Sequence, residues 1–134
     1  MRAHISSCVI EIIRAAAKAA HPNEACGLLF GTFEAVTGCE TVRNVAHNRA
    51  VRFELDPAAL FAALRAERAG GPHLSGYWHS HPSGDDLPSI TDAAMADPDG
   101  KLWLIVAGET VSAWRTGDAG LHGRFAHVAL VLTD

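Results

Sequence analysis

The densest chemistry in this chain lies in Trp78-His79-Ser80-His81-Pro82 and, six residues further on, in Ser89-Ile90-Thr91-Asp92. Residues two apart on a strand face the same side, about 6.5–7 Å apart along its axis. His79 and His81 can therefore converge on one metal ion, each at about 2.0–2.1 Å. Pro82 lacks an amide hydrogen and can end the strand there. Asp92, near the start of the next helix, can return a carboxylate as a third ligand. Two histidines, one carboxylate and an open position describe a catalytic zinc site, since structural sites are usually closed by four protein ligands. A water in the open position would have its pKa lowered to about 7. Hydrolysis then needs a carboxylate to take that water's proton and pass it to the leaving amine, and a donor for the developing oxyanion. Ser89 stands three residues before Asp92 and neighbours it on a helical turn, so its hydroxyl can sit beside the metal. Spacing alone does not say which acidic residue is the base.

These side chains need a rigid frame. Apolar residues at Val9, Ile12, Ile13, Ala16 and Ala20 follow one helix face, with Glu11, Arg14 and Lys18 on the other, and His21-Pro22-Asn23 ends the helix. A buried strand is expected over 25–33, a turn at Thr37-Gly38 and a returning strand over 40–45. Arg52 to Leu55 can form a short strand. Asp56-Pro57 starts a helix as N-cap and first helical residue, burying Leu60, Phe61 and Leu64, and Gly70-Gly71-Pro72 stops it. Strands are expected over 74–81, 102–107, 111–115 and 125–132, and Ser89 is the expected N-cap of a helix. Gly108 and the stretch 117–123 separate the last three strands. Helices interspersed with six or seven strands indicate an α/β domain built on a mixed β-sheet flanked by helices.

Composition narrows the function. The 134 residues suit one compact domain, 1–134, and 49% hydrophobic residues supply a core, which excludes a disordered chain. Eleven basic against fifteen acidic side chains give a formal charge of −4, with no basic run, so nucleic acid is not the expected partner. Apolar stretches are too short to span a membrane, and Glu11 and Arg14 interrupt the first of them, so no signal peptide is read. A cytoplasmic protein is expected. Three cysteines, Cys8, Cys26 and Cys39, form no C-x-x-C pair and suggest neither a disulfide framework nor a cysteine zinc site. Cys26 reads as a small buried residue, and His4, His21, His47, His73, His122 and His127 lack ligand spacing. The Asp85-Asp86 pair reads as a solvated loop, which beside a zinc site could favour a basic substrate segment. The zinc deaminases also combine a metal with a glutamate, but their H-x-E and P-C-x-x-C elements are absent.

His79-Ser80-His81-Pro82, six residues, then Ser89-x-x-Asp92 resembles the signature of the JAMM (MPN-plus) zinc metalloproteases. That family also carries an upstream glutamate in a Pro-x-Glu-x-x-Gly setting, matched here by Pro22-Asn23-Glu24-Ala25-Cys26-Gly27. Asn44-Val45-Ala46, Arg52-Phe53 with Asp56-Pro57, and Leu102 to Val106 are similar to small bacterial and archaeal members over most of the chain. The resemblance implies a single MPN domain of cytidine-deaminase-like architecture, with one zinc bound by His79, His81 and Asp92. It makes Glu24 the general acid/base and Ser89 the residue that steadies the tetrahedral intermediate. It also implies cleavage after the Gly-Gly tail of a ubiquitin-like protein, and the short 82–88 loop suits a minimal form acting on a ubiquitin-like sulfur carrier. A cell-wall or phage-tail peptidase and a non-catalytic scaffold are the other functions known on this fold.

Overall fold

A computed structural model describes residues 1–134. The chain runs β1 (Arg2–Ser6), α1 (Ser7–Ala20), β2 (Cys26–Gly31), β3 (Ala35–Val42), α2 (Pro57–Arg68), β4 (Leu74–Ser80), α3 (Ile90–Met95), β5 (Leu102–Ala107), β6 (Thr110–Leu121) and β7 (Phe125–Thr133). The seven strands form one mixed sheet in the order β1-β3-β2-β4-β5-β6-β7, and β1 closes it by pairing parallel to both β3 and β7. No helix is long and apolar enough to cross a membrane.

The frame around the site follows the sequence closely. Asp56 caps α2 by accepting from the Ala58 amide, with Pro57 at the first helical position. Ser89 and Asp92 form a reciprocal capping box at α3. β4, the loop 81–89, α3 and β5 make one parallel crossover, so the histidine pair stands at the carboxyl end of β4. Alternation along β4 and β5 sorts their side chains. Trp78, Leu102, Leu104 and Val106 join Val9, Ile10 and Ile13 of α1 in the main core. Trp103 and Ile105, with Tyr77 packed against them, turn to the opposite face with Phe53 and Phe125.

Several expectations are corrected. The N-terminal strand β1 went unread because Arg2 and His4 break its apolar pattern, although Ala3 and Ile5 are buried. Thr37 and Gly38 lie inside β3, with Gly38 opposite Phe30, and the chain reverses at 32–34 instead. Residues 52–55 form no strand, only a bridge between Asn44 and Leu55. Residues 117–121 continue β6 past a register shift that absorbs the glycines. Ile12 is 50% exposed and Phe61 58% exposed; Ile10 and Ala63 take the buried positions, because helix rotation is fixed by what the sheet offers and not by the strongest hydrophobe.

Gly27, the glycine of the upstream glutamate motif, has a packing reason. The Trp78 indole crosses above it to donate Nε1–H to the Glu40 carbonyl. A Cβ on Gly27 would lie 2.3 Å from that nitrogen and 2.0 Å from the Glu40 oxygen, whereas one on Gly38 would meet only Phe30 Cβ at 3.8 Å. Gly27→Ala is therefore expected to cost about 2 kcal/mol or more. Gly38→Ala is expected to be neutral or slightly stabilising. Urea titration of both variants checks the pair, and equal midpoints would contradict the packing account.

Candidate active site

β4 delivers His79 fully buried, and His81 follows one residue past the strand's end, still tied to β5 by its amide on the Val106 carbonyl. Phe53 stacks on the His79 ring at 4.4 Å between centroids and Trp103 meets it edge-on at 5.7 Å. The two rings fix the imidazole plane. Asp92 comes from the first turn of α3, also buried. His79 Nε2, His81 Nε2 and Asp92 Oδ2 form a near-equilateral triangle, with sides of 3.1, 3.1 and 3.2 Å.

That triangle fits a small cation. His81 Nδ1 faces the Asp85 carbonyl at 2.7 Å, so it holds a proton and leaves the Nε2 lone pair of the neutral ring pointing inward. Asp92 Oδ2 offers only lone pairs. Four ligands at about 2.0–2.1 Å in a tetrahedron are about 3.3–3.4 Å apart, close to the separations seen. Without a metal, a proton on His81 can play the cation's part. Burial disfavours it, but the Asp92 hydrogen bond and the Asp85 carbonyl outweigh that and raise the imidazole above its ordinary value. His79, wholly enclosed, is lowered by burial against the pull of Asp92. Burial would raise Asp92 too, yet the two imidazoles and the Ser89 amide hold its carboxyl well below the usual range.

Glu24 closes the site from the α1–β2 connection. It is 5% exposed, its Oε1 has no hydrogen-bond partner, and a carboxylate oxygen lies within 4.8 Å of the ligand nitrogens of His79 and His81. Glu24 therefore also qualifies as a metal ligand by proximity. Asp92 reaches both imidazoles at hydrogen-bond distance, whereas Glu24 makes no hydrogen bond to either. The Ser89 hydroxyl oxygen accepts the Asp92 amide, which leaves its own hydrogen free to donate. All five residues singled out from the sequence thus belong to one end of β4 and the elements around it. Cys26 is completely buried, and its thiol is pushed up to about 12, chiefly by burial, as suits a packing residue and not a nucleophile.

Positioning groups escaped the sequence reading. Ser80, between the histidines, points to the other face: its Oγ accepts the Ala25 amide at 2.8 Å while its own amide donates to the Ala25 carbonyl. This ties Glu24's neighbour to the histidine pair. The Asn44 side chain spends its full capacity, donating to the Glu24 and Arg52 carbonyls and accepting from the Ala46 and Glu54 amides. Glu24's own amide donates to the Arg49 carbonyl. In the 82–88 loop, Asp85 Oδ1 accepts the Leu87 amide, and the Asp86 carbonyl accepts Ser112 Oγ–H at 2.6 Å. Asn44 and Phe53 stood in segments already noted for their similarity; Ser112 carried no sequence signal.

Burial raises the Glu24 carboxyl from 4.5 to about 7, with His81 lowering it and Asp92 raising it further. In metal-free protein the folded state keeps a proton that the unfolded chain releases near 4.5, so stability falls as pH rises from about 4.5 to about 7. Glu24→Gln removes that ionisation. With chelator present, the variant is expected to match the parent's melting temperature near pH 4.5 and exceed it above pH 7. Thermal melts at both ends of this range test the sign, and a pH-independent difference would contradict it.

The family model described as prokaryotic homologs of the JAB domain matches residues 6–117. A desampylase of Haloferax volcanii is 39% identical over 102 residues, covering 72% of this chain and 73% of the relative. Among solved structures, a protein of Desulfitobacterium hafniense superposes with a TM-score of 0.82 at 24% identity, covering 98% of this chain and 92% of its own. A JAB1/MPN domain protein of Archaeoglobus fulgidus gives 0.60 at 22% identity, covering 97% and 98%. These two likenesses concern the fold. Taken with the family match and the 39% relative, they give the motif resemblance its name: the chain belongs to the prokaryotic JAB-domain proteins of the JAMM/MPN family.

Proposed function

We propose that this chain is a cytoplasmic, zinc-dependent isopeptidase and peptidase that hydrolyses the bond after the Gly-Gly tail of a ubiquitin-like sulfur-carrier protein. The observation that carries the reading is the triangle of inward-facing donor atoms on His79, His81 and Asp92, with the buried Glu24 carboxylate, unpaired at Oε1, within 4.8 Å of the two histidine nitrogens. One zinc per chain, held by those three residues, would supply a nucleophilic water near neutral pH and polarise the scissile carbonyl. Glu24 takes the water's proton and hands it to the leaving amine, a task suited to a buried carboxylate with no hydrogen-bond partner at Oε1. Ser89 donates its free hydroxyl hydrogen to the carbonyl oxygen as negative charge develops there. The capping box fixes Ser89 and Asp92 together, so the donor and the ligand share one rigid turn.

The substrate reading rests on the Haloferax volcanii relative, a desampylase, an enzyme that removes a ubiquitin-like modifier. A glycine tail brings no side chains to obstruct approach to the buried triangle. It can also lie against β3, which from Thr37 onward pairs with β2 on one side and with no strand on the other.

His81→Ala is expected to lose bound zinc on metal analysis, while Glu24→Gln keeps zinc and loses nearly all turnover. Ser89→Ala is expected to lose about 10²–10³-fold in kcat. Full turnover by Glu24→Gln would move the base elsewhere. For the substrate, sulfur carriers of the source organism extended beyond Gly-Gly are incubated with the zinc-loaded protein and weighed by mass spectrometry. A product ending at Gly-Gly, absent with Glu24→Gln and with chelator, is expected. Trimming of a peptidoglycan stem peptide in place of any carrier would replace this reading with the cell-wall one.

A further inference from the structure

The β6–β7 hairpin reaches the start of α3, and one side chain makes the contact. Thr116 and Leu121 both stand opposite Phe125, so 117–120 are extra residues with no place in the β6–β7 ladder. Beyond them Leu121 packs on the cluster of Ala96, Trp103 and Phe125, and the chain turns at His122 and Gly123. There His122 Nε2 lies 3.0 Å from the carbonyl oxygen of Pro88, the residue before Ser89. A carbonyl only accepts, so Nε2 carries the proton and donates it. Pro88 is buried, and its carbonyl accepts a hydrogen bond from no other group of the chain.

The turn itself does not call for a histidine. His122 has a φ of 55° and Gly123 one of 66°, and His122 is the one non-glycine residue of the chain in the left-handed region. Hairpin turns with positive φ at both central residues favour Asn-Gly, Asp-Gly and Gly-Gly. Asparagine would suit the backbone better, but its amide nitrogen ends one bond short of Nε2. Backbone strain kept at such a position points to a role for the side chain. What His122 holds is the peptide between Pro88 and Ser89. The N–H of that peptide donates to Asp92 Oδ2 at 2.9 Å, the oxygen that lies 3.1 Å from His79 Nε2 and 3.2 Å from His81 Nε2. A planar peptide pinned at its carbonyl and at its amide cannot swing. The donor on the carbonyl also strengthens the hydrogen bond that the amide gives.

We propose that His122 is a positioning residue of the site, holding the Pro88–Ser89 peptide so that Asp92 Oδ2 faces the two imidazole nitrogens and the Ser89 hydroxyl faces the developing oxyanion. The part concerning Ser89 rests on the hydrolase reading; the part concerning Asp92 needs only a bound metal. His122 acts through the peptide and touches neither metal nor substrate. Groups that orient a metal ligand are worth about ten- to a hundredfold in affinity or activity. His122 is exposed and works through a single hydrogen bond, which places it near the lower figure.

The test compares the parent with His122→Asn and His122→Gln. Zinc affinity is read by competition with a chromogenic chelator, and turnover on a fluorescent peptide with Gly-Gly before the scissile bond. His122→Asn suits the turn and is expected to melt no lower than the parent. It is nevertheless expected to bind zinc about tenfold more weakly and to lose about tenfold in kcat at unchanged KM. His122→Gln places an amide N–H where the imidazole has Nε2 and is expected to restore both. In metal-free protein the Ser89 amide is expected to exchange with deuterium faster in His122→Asn than in the parent or in His122→Gln. A His122→Asn protein with the parent's zinc affinity and kcat overturns the proposal, as does a His122→Gln protein impaired as far as His122→Asn. If the parent cleaves no Gly-Gly peptide, the hydrolase reading fails, while zinc affinity and Ser89 amide exchange still decide the role of His122.

Discussion

Two imidazole nitrogens and a carboxylate oxygen held within 3.2 Å of one another, where water scarcely reaches, need a cation or shared protons among them. The rest of the molecule can be understood as the means of holding that triangle against its own repulsion. The His79 ring cannot turn because Phe53 and Trp103 enclose it. The His81 ring is held by the Asp85 carbonyl, and that loop is held in turn by Ser112, which itself accepts Trp114 Nε1–H at 2.9 Å. The Asp92 carboxylate is pinned by the same capping box that starts its helix. Each of the three candidate ligands is thus oriented by its neighbours, as outer-shell partners commonly orient ligands in zinc enzymes.

Glu24 is held differently. Glu24 sits on no strand or helix, yet its backbone is fixed from both sides: its amide by Arg49, its carbonyl by Asn44, and the next residue by Ser80. Asn44 and Arg49 belong to the same irregular segment that carries Phe53 to His79. One connection between β3 and α2 therefore positions both the carboxylate and the His79 ring. Its own order comes largely from the Asn44 amide, which hydrogen-bonds four backbone groups, three within the segment and one on Glu24. The carboxylate that results is buried and unpaired at Oε1, an arrangement unfavourable to the fold and useful to proton transfer.

Much of this was legible in the chain itself. Strand spacing put His79 and His81 on one side, the proline limited the strand, and the Ser89-x-x-Asp92 spacing is that of a helical turn whether it caps, binds or does both. Asp56-Pro57 marked α2, and the unbroken apolar run 102–106 marked β5. These are local matters, set by backbone periodicity and by a few side chains that reach their own neighbours. The motif similarity added Glu24, which no spacing could join to residues more than fifty positions away.

What the tertiary structure alone decided is which distant groups meet. The closure of the sheet by β1 depends on an alternation too short to read and on partners at both ends of the chain. The place of Thr37-Gly38 inside β3 depends on its pairing with β2, which overrides the turn preference of the dipeptide. Ile12 and Phe61 lie exposed because the sheet fixes which side of each helix is covered. Ser80, Asn44 and Ser112 read as ordinary polar residues until folding brings them to the backbone atoms they hold. The sequence determined the donor atoms and their local spacing, because chemistry and periodicity are written residue by residue. Their orientation, burial and electrostatic environment came only with the fold, because each depends on groups that the sequence separates and packing brings together.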